Sequence, residues 1–89
     1  MAYTVQSRPG VRKALRKLDE ADRRAVLAVM RSLATDPRPT GAIALKGQRG
    51  WMRVRTGDYR VIYAVDDAAQ VVTVAVAGHR RDVYRNLNL

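Results

Sequence analysis

Three arginines bracket a short turn in the run Arg53-Val54-Arg55-Thr56-Gly57-Asp58-Tyr59-Arg60. A guanidinium stays charged at physiological pH and presents its N–H donors as a planar fork. Grouped arginines are therefore suited to gripping phosphate and to stabilising charge that grows on phosphate oxygens. Read from spacing alone, the group is equally a phosphate cradle or a set of solvent-facing arginines. Histidine titrates near neutrality, so His79, beside Arg80, is a candidate acid or base. Its plainer reading is a strand-end residue with no chemistry. Other chemistries find little. With no cysteine and one histidine the sequence has no zinc set, and Asp66-Asp67 lacks the further oxygen ligands that calcium needs. Gly47-Gln48-Arg49-Gly50 lacks the Gly-Lys-Ser/Thr ending of a P-loop. No carboxylate pair stands out, and neither a metal nor another cofactor is expected.

The elements that must hold these residues follow from periodicity. Met52 and Val54 alternate with Arg53 and Arg55, so a strand puts both guanidinium groups on one side. Thr56-Gly57-Asp58 is a hairpin signal, and Tyr59 to Val65 is rich in strand formers. Asp66 to Ala69 turns the chain, Val71 to Ala77 forms a last long strand, and Gly78 ends it. The tail, 79–89, reads as a short helix or coil. Upstream, Tyr3 and Val5 mark a short strand, Ser7 is placed to cap a helix, and Pro9 fits its first turn. Val11, Ala14, Leu15 and Leu18 form one apolar stripe, with Arg12, Lys13, Arg16 and Lys17 opposite. Asp19 caps a second helix carrying Val26, Val29, Met30 and Leu33, which stops at Asp36-Pro37. Residues 36–50 read as a loop with at most a turn at Ile43-Ala44-Leu45. The expected fold is α+β: one domain, 1–89, in two layers. An N-terminal strand and a helical hairpin pack on an antiparallel sheet completed by three C-terminal strands. With helices on the Met52/Val54 face, Arg53 and Arg55 project from the opposite, open face, with Arg60 on the next strand.

A chain of 89 residues buries only about 60 % of its unfolded surface, so the core is small. Its 17 basic and 8 acidic residues leave a formal charge of +9. Such a balance favours nucleic acid, an acidic protein or an anionic membrane face. Of the basic residues 14 are Arg and 3 are Lys, a bias that a GC-rich genome imposes on any protein, so position must carry the argument. Residues 38–60 hold net +5 and residues 61–78 net −2, which concentrates charge around the hairpin. No run of about 20 apolar residues exists to span a membrane, and Met1 to Val5 does not read as a secretory signal. The expected location is the cytoplasm. A small, cysteine-free, basic core also invites a long acidic chain that folds as it wraps.

The run Arg-Val-Arg-Thr-Gly-Asp-Tyr-Arg-Val-Ile-Tyr, with Gly-His-Arg-Arg-Asp-Val-Tyr after the last strand, closely resembles the RelE/ParE superfamily of type II toxins, and its RelE branch. Leu45-Lys46-Gly47 and Pro37-Arg38-Pro39 resemble it too, and the likeness covers essentially the whole chain. The resemblance implies a ribosome-dependent, metal-independent mRNA interferase that cuts in the A site and arrests growth until a cognate antitoxin neutralises it. Attack comes from the ribose 2′-oxygen. On this pattern Arg60 matches the arginine at the scissile phosphate and Arg80 the one linked with the leaving 5′-oxygen. Tyr84 matches a tyrosine near the cleaved nucleotide. Arg53 and Arg55 fall where relatives carry a basic cluster with lysines, with Lys46 and Arg81 as further substrate contacts. That cluster is a departure, because arginine does not serve as a general base as lysine can; the nearest lysine, Lys46, lies in the preceding loop, and His79 is the candidate base or acid. Trp51 either stacks on a base or packs where the loop enters the strand. A ParE-like gyrase inhibitor, a DNA-binding module and a relic that only binds its antitoxin are the alternatives.

Overall fold

The computed structural model describes residues 2–85 and 87–89; Met1, in the signal-peptide reading, and Asn86, in the tail reading, lie outside them. The chain runs β1 (Thr4–Ser7), α1 (Pro9–Arg16), α2 (Glu20–Ser32), β2 (Ile43–Ala44), β3 (Trp51–Thr56), β4 (Tyr59–Asp66), β5 (Val71–His79) and α3 (Arg80–Val83). Pro9 opens α1, and the residue before a proline is pushed into extended backbone. Arg8, at φ −68° and ψ 153°, is therefore the N-cap, with no side-chain cap bond. Ser7, expected as the cap, is instead the last residue of β1, opposite Val74. Asp19 does cap α2, its carboxylate accepting from the Asp22 amide at 2.9 Å.

The sheet order is β1-β5-β4-β3-β2. Two-residue connection Gly57-Asp58 joins β3 to β4, and Gly57 takes the positive φ, 57°, that a tight hairpin asks of its first central position. β3, β4 and β5 are antiparallel as expected, whereas β1 lies parallel to β5, so the sheet is mixed. The helical hairpin carries the chain away from β1, which frees it from hairpin-type pairing. Strand β2 pairs with β3 through Ile43–Arg53 and Ala44–Met52, where a turn at most was expected.

One face of the sheet meets α1 and α2. Val11, Leu15, Val26, Met30 and Leu33 pack there on Val54, Val61, Tyr63, Val72, Val74 and Ala77. Each large side chain so buried contributes about 1.5–3 kcal/mol. Tyr63 is fully enclosed and its hydroxyl donates to the Pro37 carbonyl at 2.8 Å, which anchors the loop after α2. The opposite face, expected to be open, carries a partial second cover. Val83 of α3 lies 3.5 Å from where a Cβ on Gly78 would stand, and Ile62, on that face, is fully enclosed. Gly78 ends nothing: β5 runs one residue further, and α3 then turns back over it. No described helix is long and apolar enough to cross a membrane.

Candidate functional site

Strand register assembles the site on the face away from α1 and α2. Arg55 lies directly opposite Arg60, and Arg60 directly opposite Gly78. Like charges paired across a ladder repel. Arg60 answers by folding back onto the hairpin: its Nη1 donates to the carbonyls of Gly57 and Tyr59, both at 3.0 Å, and the residue is 8 % exposed. Arg80 joins from the far end of β5. Its amide donates to the Asp58 carbonyl at 2.7 Å, and its Nε stands 3.7 Å from the Asp58 carboxylate. The Gly57-Asp58 turn thus gathers Arg60 and Arg80, with Arg55 beside them.

The second half lies one ladder step away. Arg53, two residues before Arg55, points to the same face, where its Nη1 makes a long 3.5 Å contact to the Tyr84 hydroxyl. Arg53 Nε is buried without a partner among the described residues. Arg53, Tyr84 and Lys46 line one groove of about 530 Å³ together with Ile43, Ala44, Leu45, Gln48 and Leu87. None of the ion pairs among the described residues includes Arg53, Arg55 or Arg60.

Two of the expected residues stand apart. His79 pairs with Tyr59, and strand alternation turns both to the face opposite Arg60 and Gly78. The rings meet edge to face at 5.5 Å, while the Tyr59 hydroxyl donates to Asp22 at the start of α2 at 2.8 Å; that bond holds the phenol above its usual pKa. His79 Nδ1 accepts the Arg81 amide at 3.1 Å, so the imidazole caps α3. Arg81 is exposed, and its contact with the site is through this cap. Trp51 lies under the Arg8 guanidinium, 5.3 Å from its ring centroid, and Arg8 also donates to the Asn88 carbonyl at 2.9 Å.

Chemically, the hairpin end gathers Arg60 and Arg80 about one turn with Arg55 opposite Arg60 in register, and neither Arg55 nor Arg60 has a neutralising carboxylate among the described residues. Such a group holds a dianionic or transition-state phosphate by fixed, always-charged donors. Three contributors escaped sequence reasoning. Asp58 tethers Arg80, and it was visible as the one acidic residue of the basic segment 38–60. Ile43 and Gln48 reach the site through the short β2 and the turn after it, for which no periodic signal exists.

Comparison with known proteins finds similar chains and folds. A family model described as the ParE toxin of the type II toxin–antitoxin system, parDE, matches residues 5–84. Toxin RelG of Mycobacterium tuberculosis is 31 % identical over 86 residues, which is 96 % of this chain and 99 % of the relative. Among solved structures, the archaeal RelE–RelB complex from Pyrococcus horikoshii contains a chain 33 % identical, with a TM-score of 0.79. The match covers 92 % of this chain and 99 % of that one. The RelBE2 toxin–antitoxin complex of Mycobacterium tuberculosis gives 28 % identity and a TM-score of 0.77, covering 90 % and 100 %.

Proposed function

The chain belongs to the RelE/ParE superfamily of type II toxin–antitoxin toxins, and from that premise we propose that it is an endoribonuclease that cuts ribosome-bound messenger RNA in the A site. The observation that carries this reading is the convergence of Arg55, Arg60 and Arg80 on the Gly57-Asp58 turn, with Tyr84 and Arg53 one step along. In the proposed reaction the ribose 2′-oxygen attacks the adjacent phosphorus and the bond from phosphorus to the 5′-oxygen breaks. A 2′,3′-cyclic phosphate and a 5′-hydroxyl result, the proton lost at the 2′-oxygen being matched by one gained at the 5′-oxygen. Arg60, fixed by two carbonyls, presents its remaining N–H groups to the charge that grows on the phosphoryl oxygens. Arg80 faces the leaving oxygen, and Tyr84 and Arg53 hold the neighbouring nucleotide. His79 is committed to capping α3, which leaves Lys46, in the Arg53–Tyr84 groove, as the candidate base. Most of the acceleration comes from preset donors, each worth about 100- to 1,000-fold.

The whole chain, 1–89, acts as one toxin domain in the cytoplasm, and a cognate antitoxin, acidic and partly disordered, covers its basic surface. Two of the similar structures are RelE–RelB and RelBE2 complexes, which supports that partner. A second reading comes from the ParE description of the matching family model: a gyrase inhibitor on the same fold, with the arginines as a docking surface. The deciding assay adds purified protein to a defined message with and without programmed ribosomes, read by primer extension and end-group chemistry. Cuts inside an A-site codon, only with ribosomes and ending in a cyclic phosphate, are expected. No cut in either condition, with inhibition of gyrase supercoiling, would overturn the nuclease reading.

A further inference from the structure

The two helices that cover the sheet carry their charge differently. On α2, Arg24 is paired with Glu20, one turn earlier, at 2.7 Å. On α1 nothing is paired. No acidic residue precedes Asp19 in the chain. Arg12, Lys13, Arg16 and Lys17 are exposed and have no ion pair among the described residues. Burial of Val11 and Leu15 against the sheet turns the other side of α1 outward. Arg8, Arg12 and Arg16 then recur every four residues, in a row stepping about 6 Å along the helix. Like charges at that spacing weaken a helix. With Ser7, Pro9 and Lys13 they line a groove of about 500 Å³ that has no carboxylate and, apart from the proline ring, no apolar side chain. At its head Arg8 leans over Trp51, which shares a sheet face with Arg53, so the row runs on toward the arginine face.

We propose that this groove on α1 is a second RNA-binding surface, which grips the sugar–phosphate backbone of one RNA strand without regard to sequence and away from the phosphate that is cut. One helical turn per arginine sets the forks at about the step between successive phosphates of a strand, and each guanidinium takes phosphate oxygens two at a time. Charge alone suffices for that partner, because neutralising its phosphates releases the counterions condensed on them. An acidic protein segment that orders on contact needs apolar anchors as well. The large apolar side chains left exposed among the described residues, Ile43 and Tyr84, line a different groove. The choice of RNA among nucleic acids rests on the reading of the chain as an RNA-cutting toxin.

The test is fluorescence anisotropy with a short labelled oligouridylate methylated at every 2′-oxygen, titrated at stepped salt. It cannot be cut by 2′-attack, so binding is read alone. Arg12→Ala/Arg16→Ala is compared with Arg24→Ala/Arg31→Ala, which takes the same charge from α2, and circular dichroism checks the fold of both. The logarithm of the binding constant should fall linearly with that of salt. The α1 pair should flatten this slope by about 1.4, two phosphate contacts at about 0.7 each, and the α2 pair by less than half as much. Equal flattening by both pairs would make net charge the whole cause and overturn the surface. An unchanged slope in the α1 pair, or no binding by the unmodified protein, would overturn it too. Polyglutamate and a DNA duplex, each matched in total charge, should compete less well than unlabelled RNA. A stronger polyglutamate would assign the groove to an acidic protein and a stronger duplex to DNA, and either would overturn the proposal. The nuclease reading stands or falls separately. A slope flattened by the α1 pair in a protein that cuts nothing on ribosomes keeps the surface and removes the nuclease. Cutting on ribosomes with an unflattened slope does the reverse.

Discussion

Two arginine sites in this molecule are built on opposite plans. Arg38 forks onto Asp67 at 2.8 and 3.1 Å, and the Tyr3 hydroxyl donates to the same carboxylate at 2.7 Å. The bonds from Arg38 and Tyr3 lower the Asp67 carboxyl to about 2. This clasp ties the β4–β5 turn to the loop after α2 and to the approach to β1. Arg53, Arg55 and Arg60 have no such carboxylate; a pair of backbone carbonyls holds Arg60, and a tyrosine hydroxyl meets Arg53. An arginine that serves the fold comes with its anion built in. Arg60 and Arg53 are steadied by neutral groups, which fix the geometry without spending the charge, and Arg80 stands between the two plans, 3.7 Å from Asp58.

The contrast breaks most clearly by deleting one arginine from each plan. Arg60→Ala is expected to lower cleavage of ribosome-bound message by about 100- to 1,000-fold, the loss of one preset donor, while Arg38→Ala leaves the rate per folded molecule unchanged. Single-turnover cleavage of a defined message, with circular dichroism as a fold control, measures both. The clasp should also show in acid. Because the Asp67 pKa falls from 3.8 to about 2 on folding, the stability it gives is complete above about pH 4 and is lost as pH drops toward 2. In Asp67→Asn that part of the fall between about pH 4 and pH 2 disappears from urea unfolding measured at stepped pH.

A third change converts one plan into the other. Arg55→Glu places a carboxylate directly opposite Arg60, replacing repulsion with a cross-strand ion pair. Stability should rise by about 0.5–1 kcal/mol, and cleavage of ribosome-bound message should fall. A more stable variant with undiminished cleavage would show that the unpaired state of the row is incidental. The smallest effect belongs to His79. His79→Ala should cost about 0.5 kcal/mol in unfolding, the low end for a lost cap, and His79→Asn should restore it. Cleavage should keep its pH profile in both, because the ring faces the helix layer.

How much was legible in the sequence divides along the same line. Wherever the chain is periodic, the reading holds. The alternation Met52-Arg53-Val54-Arg55 put both arginines on one face, and the stripes Val11/Leu15 and Val26/Met30/Leu33 named the helix side of the core. Local steric rules went further than cap statistics at Ser7, where Pro9 decides the backbone of Arg8. What periodicity misses is return of the chain onto itself. Two residues of β2 carry no period, yet their pairing delivers Ile43, and the turn that follows delivers Gln48. A four-residue α3 shows no amphipathic repeat, yet Val83 covers Gly78 and brings Tyr84 to Arg53. His79 was a candidate acid or base because it adjoins Arg80 in sequence; the strand register turns its ring to Tyr59 on the helix side, and the chain enters α3 at Arg80.

The parallel pairing of β1 with β5 joins residues 4–7 to residues 71–74, and Arg80 and Tyr84 come later still. During synthesis, therefore, β1 emerges long before its partner exists, and the arginine face waits for Arg80 and Tyr84. A nascent chain of this toxin carries its helices and its basic hairpin ahead of the strand and tyrosine that complete the site.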